Sequence, residues 1–100
     1  MEERRKFPRK PLVVPLEVFS KDIQQSVARG FVIDLNEAGM RILADDDLKI
    51  GDEFRMNFHM HNNRQYDFYG KIVHKAEGIL SNAYGVKFLD GQDTALFKAI

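Results

Sequence analysis

Apolar and polar residues alternate along most of this chain with a period of two. Residues 12–19 put Leu12, Val14, Leu16 and Val18 on one face and Glu17 on the other. That is the period of a β-strand with one buried side. The pattern returns in residues 28–35, where Phe31, Ile33 and Leu35 share a face, and in residues 39–43, where Met40 and Ile42 do. It is clearest after Gly51-Asp52, which reads as the turn opening a fourth strand. There Phe54, Met56, Phe58 and Met60 alternate with Glu53, Arg55, Asn57 and His59. Residues 65–75 set Tyr66, Phe68 and Ile72 against Tyr69 and Val73. Residues 83–89 bring Tyr84, Val86 and Phe88 to one side.

Turn chemistry separates these runs. Residues 20–26 are a polar loop, residues 61–64 (His-Asn-Asn-Arg) a hairpin turn, and residues 78–82 another turn. Pro15 cannot donate a ladder hydrogen bond, which places the first strand at an edge or a bulge. Gly70, inside the fifth run, signals a bulge or a tight bend. Asp93 or Thr94 can cap a short C-terminal helix with Leu96, Phe97 and Ile100 near one face. The expected fold is all-β: a six-stranded antiparallel β-barrel, closed because closure removes exposed edges. The helix plugs one end or forms a contact surface.

Composition narrows the function classes. One hundred residues, 44% hydrophobic, make one domain with one core. Fifteen basic and fifteen acidic residues cancel, so any anion site arises from local clustering. Cysteine is absent, which excludes disulfides and thiol chemistry and is compatible with a reducing cytosol. The charged N-terminus leads into no apolar run of signal-peptide length, and no stretch reaches membrane-span length. The default reading is a soluble cytoplasmic domain.

The basic residues do cluster. Arg4, Arg5, Lys6, Arg9 and Lys10 fall within the first ten positions, interrupted by Phe7 and Pro8. Pro8 and Pro11 discourage helix around Arg9, so residues 1–11 read as an extended, flexible arm on a barrel of residues 12–100. Such an arm is either a solvated tail or a strap that closes over an anion, and Phe7 offers a ring to dock it.

Residues 34–39 form a polar elbow between the second and third strands. Asp34 and Asn36 can hydrogen-bond their own backbone, and Gly39 can take positive φ. The elbow presents a carboxylate, an amide and bare backbone together, a group suited to the edge of a guanine. An ordinary hairpin turn has the same composition.

Catalytic chemistry is thin. His59 and His61 lie two apart on one strand, as exposed strand histidines or the beginning of a metal site, with no third ligand nearby. Asp45, Asp46 and Asp47 read as a solvated turn before they read as a cation site. Ser20, Ser26 and Ser81 occupy no nucleophile elbow, and no glycine-rich phosphate loop joins a strand to a helix. Gly51-Asp52-Glu53-Phe54 resembles the end of the diguanylate cyclase signature, but Ile50 precedes it and the chain is too short for that catalytic domain. No enzyme, metal or cofactor is expected.

Arg5-x-x-x-Arg9 followed by Asp34-x-Asn36-x-x-Gly39 resembles the paired signature of the PilZ family, Arg-x-x-x-Arg and then Asp/Asn-x-Ser-x-x-Gly. Residues 48–51, 70–73 and 84–88 follow in the family's order. The resemblance implies a six-stranded barrel that binds cyclic di-GMP (c-di-GMP), a bacterial second messenger, and passes the signal to a protein effector. Carried over, Arg5 and Arg9 contact phosphates and guanine faces. Asp34 and Gly39, with position 36, hold a guanine edge. Arg4, just ahead of the signature, stacks on a second ligand molecule. Guanidinium suits the task because its fork matches phosphate oxygens and its flat face stacks on a base. Asn36 departs from the family's serine. Two other readings stand beside this one: an adaptor of the same fold that binds no nucleotide, and a barrel for single-stranded nucleic acid. Zero net charge and the lack of a continuous basic stripe count against the latter.

Overall fold

The computed structural model describes residues 12–22, 24–60 and 63–99. It contains six strands: β1 (Val14–Ser20), β2 (Ser26–Leu35), β3 (Gly39–Ala44), β4 (Glu53–His59), β5 (Gln65–Ala76) and β6 (Asn82–Phe88). All neighbours are antiparallel, and the order β1-β2-β3-β6-β5-β4 closes on itself through a β1–β4 ladder. The all-β, six-stranded antiparallel closed barrel expected from the alternation is therefore what forms. Its interior is one apolar cluster, in which Val18, Val32, Ile42, Met56, Phe58 and Ile72 are fully buried.

The expected short C-terminal helix does not form as an α-helix. Thr94–Ala99 is a single 3₁₀ segment, and the described residues contain no α-helix. Six residues give too few i→i+4 bonds to repay helix nucleation, and 3₁₀ geometry is common in such short pieces. The segment seats Phe97, only 2% exposed, against the rings of Phe58, Tyr66, Phe68 and Phe88 at 4.9–6.1 Å between centroids. This closes the barrel end where β6 finishes. At the other end the β3–β4 connection buries Leu48, whose N–H donates to the Tyr84 hydroxyl (2.9 Å). That hydroxyl in turn donates to the Asp46 carbonyl (2.6 Å).

Two β-bulges alter the face assignments read from simple alternation. In β2, Val32 pairs with Ile42 but Asp34 pairs with Arg41, so Ile33 is the extra residue. Inward positions run Ala28 and Val32 and then switch parity to Leu35, while Phe31 is left 46% exposed. Phe31, Ile33 and Leu35 thus do not share a face, because one inserted residue reverses a period-two pattern. In β5, Ile72 pairs with Val86 and His74 with Gly85, so the bulge is at Val73, not at Gly70. Gly70 pairs regularly on both sides. A side chain there would meet Val86 Cγ1 at 2.5 Å, so its role is to admit Val86 to the core. Pro15 lies on no open edge either. Pairing with β4 begins one residue later, at Leu16, so Pro15 has a β2 partner only.

Candidate functional site

The β2 bulge turns Asp34 outward beside the connection to β3, and the Asn36 side chain shapes that connection. Asn36 Oδ1 accepts from the N–H groups of Ala38 (2.8 Å) and Gly39 (3.2 Å), and Asn36 N–H donates to the Gly39 carbonyl (3.0 Å). This is an Asx turn, in which a short amide side chain replaces backbone partners. The carbonyl of Ala38 faces the other way and accepts from Phe88 N–H (3.1 Å), fastening the turn to the end of β6.

Gly39 is required for a different reason from the one its sequence context suggests. Positive φ occurs at Gly51 (99°) and Gly91 (86°), not at Gly39. A Cβ on Gly39 would stand 2.0 Å from the Val86 carbonyl oxygen, so only glycine lets β3 and β6 approach this closely.

Asp34, Asn36 and Gly39 come together on one open depression of about 280 Å³ on the outer wall. Met40, Arg41, Val73, Gly85, Val86 and Lys87 complete it. Both bulges rim this depression, and Gly85 leaves part of its floor without a side chain. Arg41 is the cross-strand partner of Asp34, and Lys87 that of Gly39. Among the described residues neither Arg41 nor Lys87 makes an ion pair or side-chain hydrogen bond. The concavity therefore combines an acceptor carboxylate, a half-buried amide and two cations, a set that can bind an anion carrying a heterocycle.

Arg41 and Lys87 were not singled out in the sequence. The available signal was parity: each alternates with buried neighbours, Met40 and Ile42 or Val86 and Phe88, and so points out of the barrel. What sequence alone did not supply was the pairing of β3 with β6, which brings them to the same wall. Arg4, Arg5 and Arg9, with the rest of the arm, lie outside the described residues, as does His61. His59 is exposed, and no group of three or more His, Asp or Glu side chains among the described residues is placed to hold a metal ion. In the acidic turn, Asp47 pairs with Lys75, which also approaches Glu77 (3.8 Å).

Elsewhere on the wall, short ion pairs stitch strands together. The hydrogen bond from Lys21 (2.6 Å), helped by its charge, holds the Glu53 carboxyl below its usual 4.5. A Lys75 hydrogen bond does the same for Asp47, and bonds from Ser26 and Arg29 for Glu17. Arg55 lies 4.2 Å from the Phe19 ring centroid and donates to Asp67 (2.8 Å) and Gln24 (2.6 Å). None of these groups lines the depression.

The closed six-stranded barrel thus carries on its outer wall a largely apolar hollow bordered by Asp34, Asn36, Arg41 and Lys87. A family model described as the PilZ domain matches residues 3–100, and the chain belongs to that family. Solved structures agree in fold. The PilZ domain with c-di-GMP of YcgR from Escherichia coli superposes with a TM-score of 0.76 at 16% identity, over 96% of this chain and 87% of that one. YcgR in complex with c-di-GMP, from the same organism, gives 0.77 at 19%, over 97% and 44%. The Bacillus subtilis inhibitor of motility MotI/DgrA gives 0.74 at 11%, over 98% and 49%. This chain thus spans less than half the length of the last two. Comparison with curated protein sequences returned no match. No described helix is long and apolar enough to cross a membrane.

Proposed function

We propose that this chain is a c-di-GMP receptor that changes conformation on binding and signals to a protein effector in the cytoplasm. The observation that carries the reading is the convergence of Asp34, Asn36 and Gly39 with two cations, Arg41 and Lys87, on one hollow. Membership of the PilZ family and the fold shared with the c-di-GMP-bound domain of YcgR support it. In this reading Asp34 and the Asn36 turn hold a guanine edge, while Arg41 and Lys87 draw the phosphates toward the wall.

The hollow is slightly smaller than the roughly 300–1,000 Å³ typical of sites that engulf a drug-sized ligand. A dinucleotide needs a second surface, and residues 1–11 supply it as an arm joined to the barrel of residues 12–100. Arg5 and Arg9 close over phosphates and bases. Arg4 stacks on a second ligand molecule, giving two ligands per domain. Leu12 N–H reaches the Ile33 carbonyl (3.5 Å), so Leu12 lies beside the bulge that presents Asp34.

Calorimetric titration tests the proposal. Saturable binding is expected for c-di-GMP, much weaker binding for GMP, and no comparable binding for an oligonucleotide of similar charge. Absence of heat and of thermal protection with c-di-GMP moves the reading to a nucleotide-free adaptor. Preference for the oligonucleotide moves it to a nucleic-acid barrel.

A further inference from the structure

A second surface, next to the hollow, has a composition that ligand binding does not explain. Read across the ladders, Pro15 pairs with Phe31, Phe31 with Leu43, Leu43 with Ala83, and Ala83 with Ala76. Pro15, Phe31, Leu43 and Ala83 alternate with buried Val14, Val32, Ile42, Ala44 and Tyr84, and Ala76 is exposed, so all five lie on the outer face. One outward row across five of the six strands therefore carries no polar side chain. Phe31 is 46% exposed, and in the β5–β6 turn Leu80 is 91% exposed. Phe31, Leu43 and Leu80 border a depression of about 290 Å³ between them. The solvent face of an antiparallel sheet is normally polar, and a contiguous apolar stretch marks a contact surface.

The charges beside this row indicate what covers it. On β2, Arg29 precedes Phe31 and Asp34 follows it. Arg41 precedes Leu43 on β3, and Asp45 follows just past the strand's end. Gly30 pairs with Ala44 and Asp34 with Arg41. One flank of the row therefore carries Asp45 and Arg29, the latter ion-paired with Glu17 of β1 (3.3 Å), and the other carries Asp34 and Arg41. A two-fold axis running along the row lays each flank of one copy on the opposite flank of another. Asp45 of each copy then faces Arg41 of the other, two contacts of opposite sign, while the Arg29–Glu17 pair lies opposite Asp34. An isologous interface must be complementary to itself in this way, and a contact with an unrelated partner requires no such antisymmetry. The row curves with the barrel, so contact centres on its Phe31, Leu43 and Ala83 portion.

We infer that a second copy of this chain docks on the Phe31–Leu43–Ala83 row to form a two-fold dimer. The inference rests on strand register and side-chain chemistry and does not depend on the nucleotide reading.

Sedimentation velocity on the full chain without ligand, over a wide concentration range, is the test. A reversible monomer–dimer equilibrium is expected for the wild type. Leu43→Glu and Phe31→Ser are each expected to leave only monomer, with Phe31→Ser guarding against loss of fold in the first. Asp45→Arg and Arg41→Asp alone each place like charges in contact and are expected to weaken the dimer about tenfold or more. Combined, they exchange the signs and are expected to restore it. A wild type that stays monomeric at every soluble concentration overturns the inference. So does a dimer that survives Phe31→Ser, or a folded double charge variant that associates no better than the single ones.

Discussion

Gly39 and Val86 approach so closely across the β3–β6 ladder that the place of a Cβ on Gly39 is 2.0 Å from the Val86 carbonyl oxygen. The obstacle is backbone and cannot rotate away. Gly39→Ala is therefore expected to push the two strands apart, at a cost of about 1–3 kcal/mol for forced overpacking. A urea titration reads this as a lowered midpoint. An unchanged midpoint shows that β3 can shift without penalty and that Gly39 is not needed for the approach.

Asn36 organises its turn through one oxygen that accepts two N–H groups. Asn36→Ala removes that acceptor and is expected to destabilise the domain by about 1 kcal/mol. Asn36→Ser retains an acceptor in a turn serine also forms, so it is expected to fold normally and to bind c-di-GMP at least as well. A folded serine variant that binds about tenfold worse (roughly 1.4 kcal/mol) assigns the asparagine a ligand contact of its own.

Affinity and stability separate at the arm. Arg9→Ala is expected to weaken c-di-GMP binding about ten- to a hundredfold, the value of one charge-assisted hydrogen bond of about 1.5–3 kcal/mol. The melting temperature of the free domain is expected to hold. Arg9→Lys keeps the charge but loses the fork and the stacking face, so it recovers only part of the loss. If Arg9→Ala lowers the free domain's melting temperature by an equivalent amount, the arm belongs to the fold and the clamp mechanism fails.

Phe97 is the most consequential residue of the C-terminal segment. Its ring meets Phe58, Tyr66, Phe68 and Phe88. Phe97→Ala leaves a cavity at that barrel end and is expected to cost about 3–5 kcal/mol. Thermal unfolding followed by circular dichroism measures it. A loss below about 1 kcal/mol, the range of a minor repacking, shows that the 3₁₀ segment merely rests on a barrel already closed.

The dependence on pH follows from the surface pairs. Lys21, Lys75, Ser26 and Arg29 hold Glu53, Asp47 and Glu17 below their usual values. A carboxylate with a lowered folded pKa stabilises fully above its unfolded value, 4.5 for Glu53, and loses that contribution as pH falls through the folded one. Lys21 and Lys75 are raised above 10.5, chiefly by hydrogen bonds to Glu53 and Asp47. Their contribution is complete below 10.5 and is lost as pH rises through the higher folded value. These pairs therefore give a plateau from about pH 5 to about pH 10, with a decline on either side. Urea midpoints across that range test the shape. Glu53→Gln is expected to shrink the acid decline, and an unaltered decline excludes the Lys21 pair as its source.

The barrel was legible because each strand buries one face, and a period of two survives in sequence wherever no residue is inserted. Met56 and Phe58, or Tyr84, Val86 and Phe88, needed no structure to be placed inside. Face assignment failed at Ile33, where a bulge adds one residue without a glycine or proline to mark it. The bulge in β5 was marked wrongly, because Gly70 drew the expectation and Val73 carries it. The elbow was recognised from residue types, but Gly39 was given a conformational role when its role is proximity. That difference depends on Val86, which is remote in sequence. Arg41 and Lys87 were invisible as a pair for the same reason: strand order is a property of closure, not of local pattern.

Closure also governs how this chain can meet other molecules. Each strand has a hydrogen-bonded neighbour on both sides, β1 and β4 included. Among the described residues no whole strand is left with an open edge to template another strand, so recognition runs largely through side chains. A surface written in side chains can be rewritten one position at a time while the ladders stay intact. For this domain, then, changes of ligand or partner are separable from changes of fold, and single outward substitutions suffice to explore them.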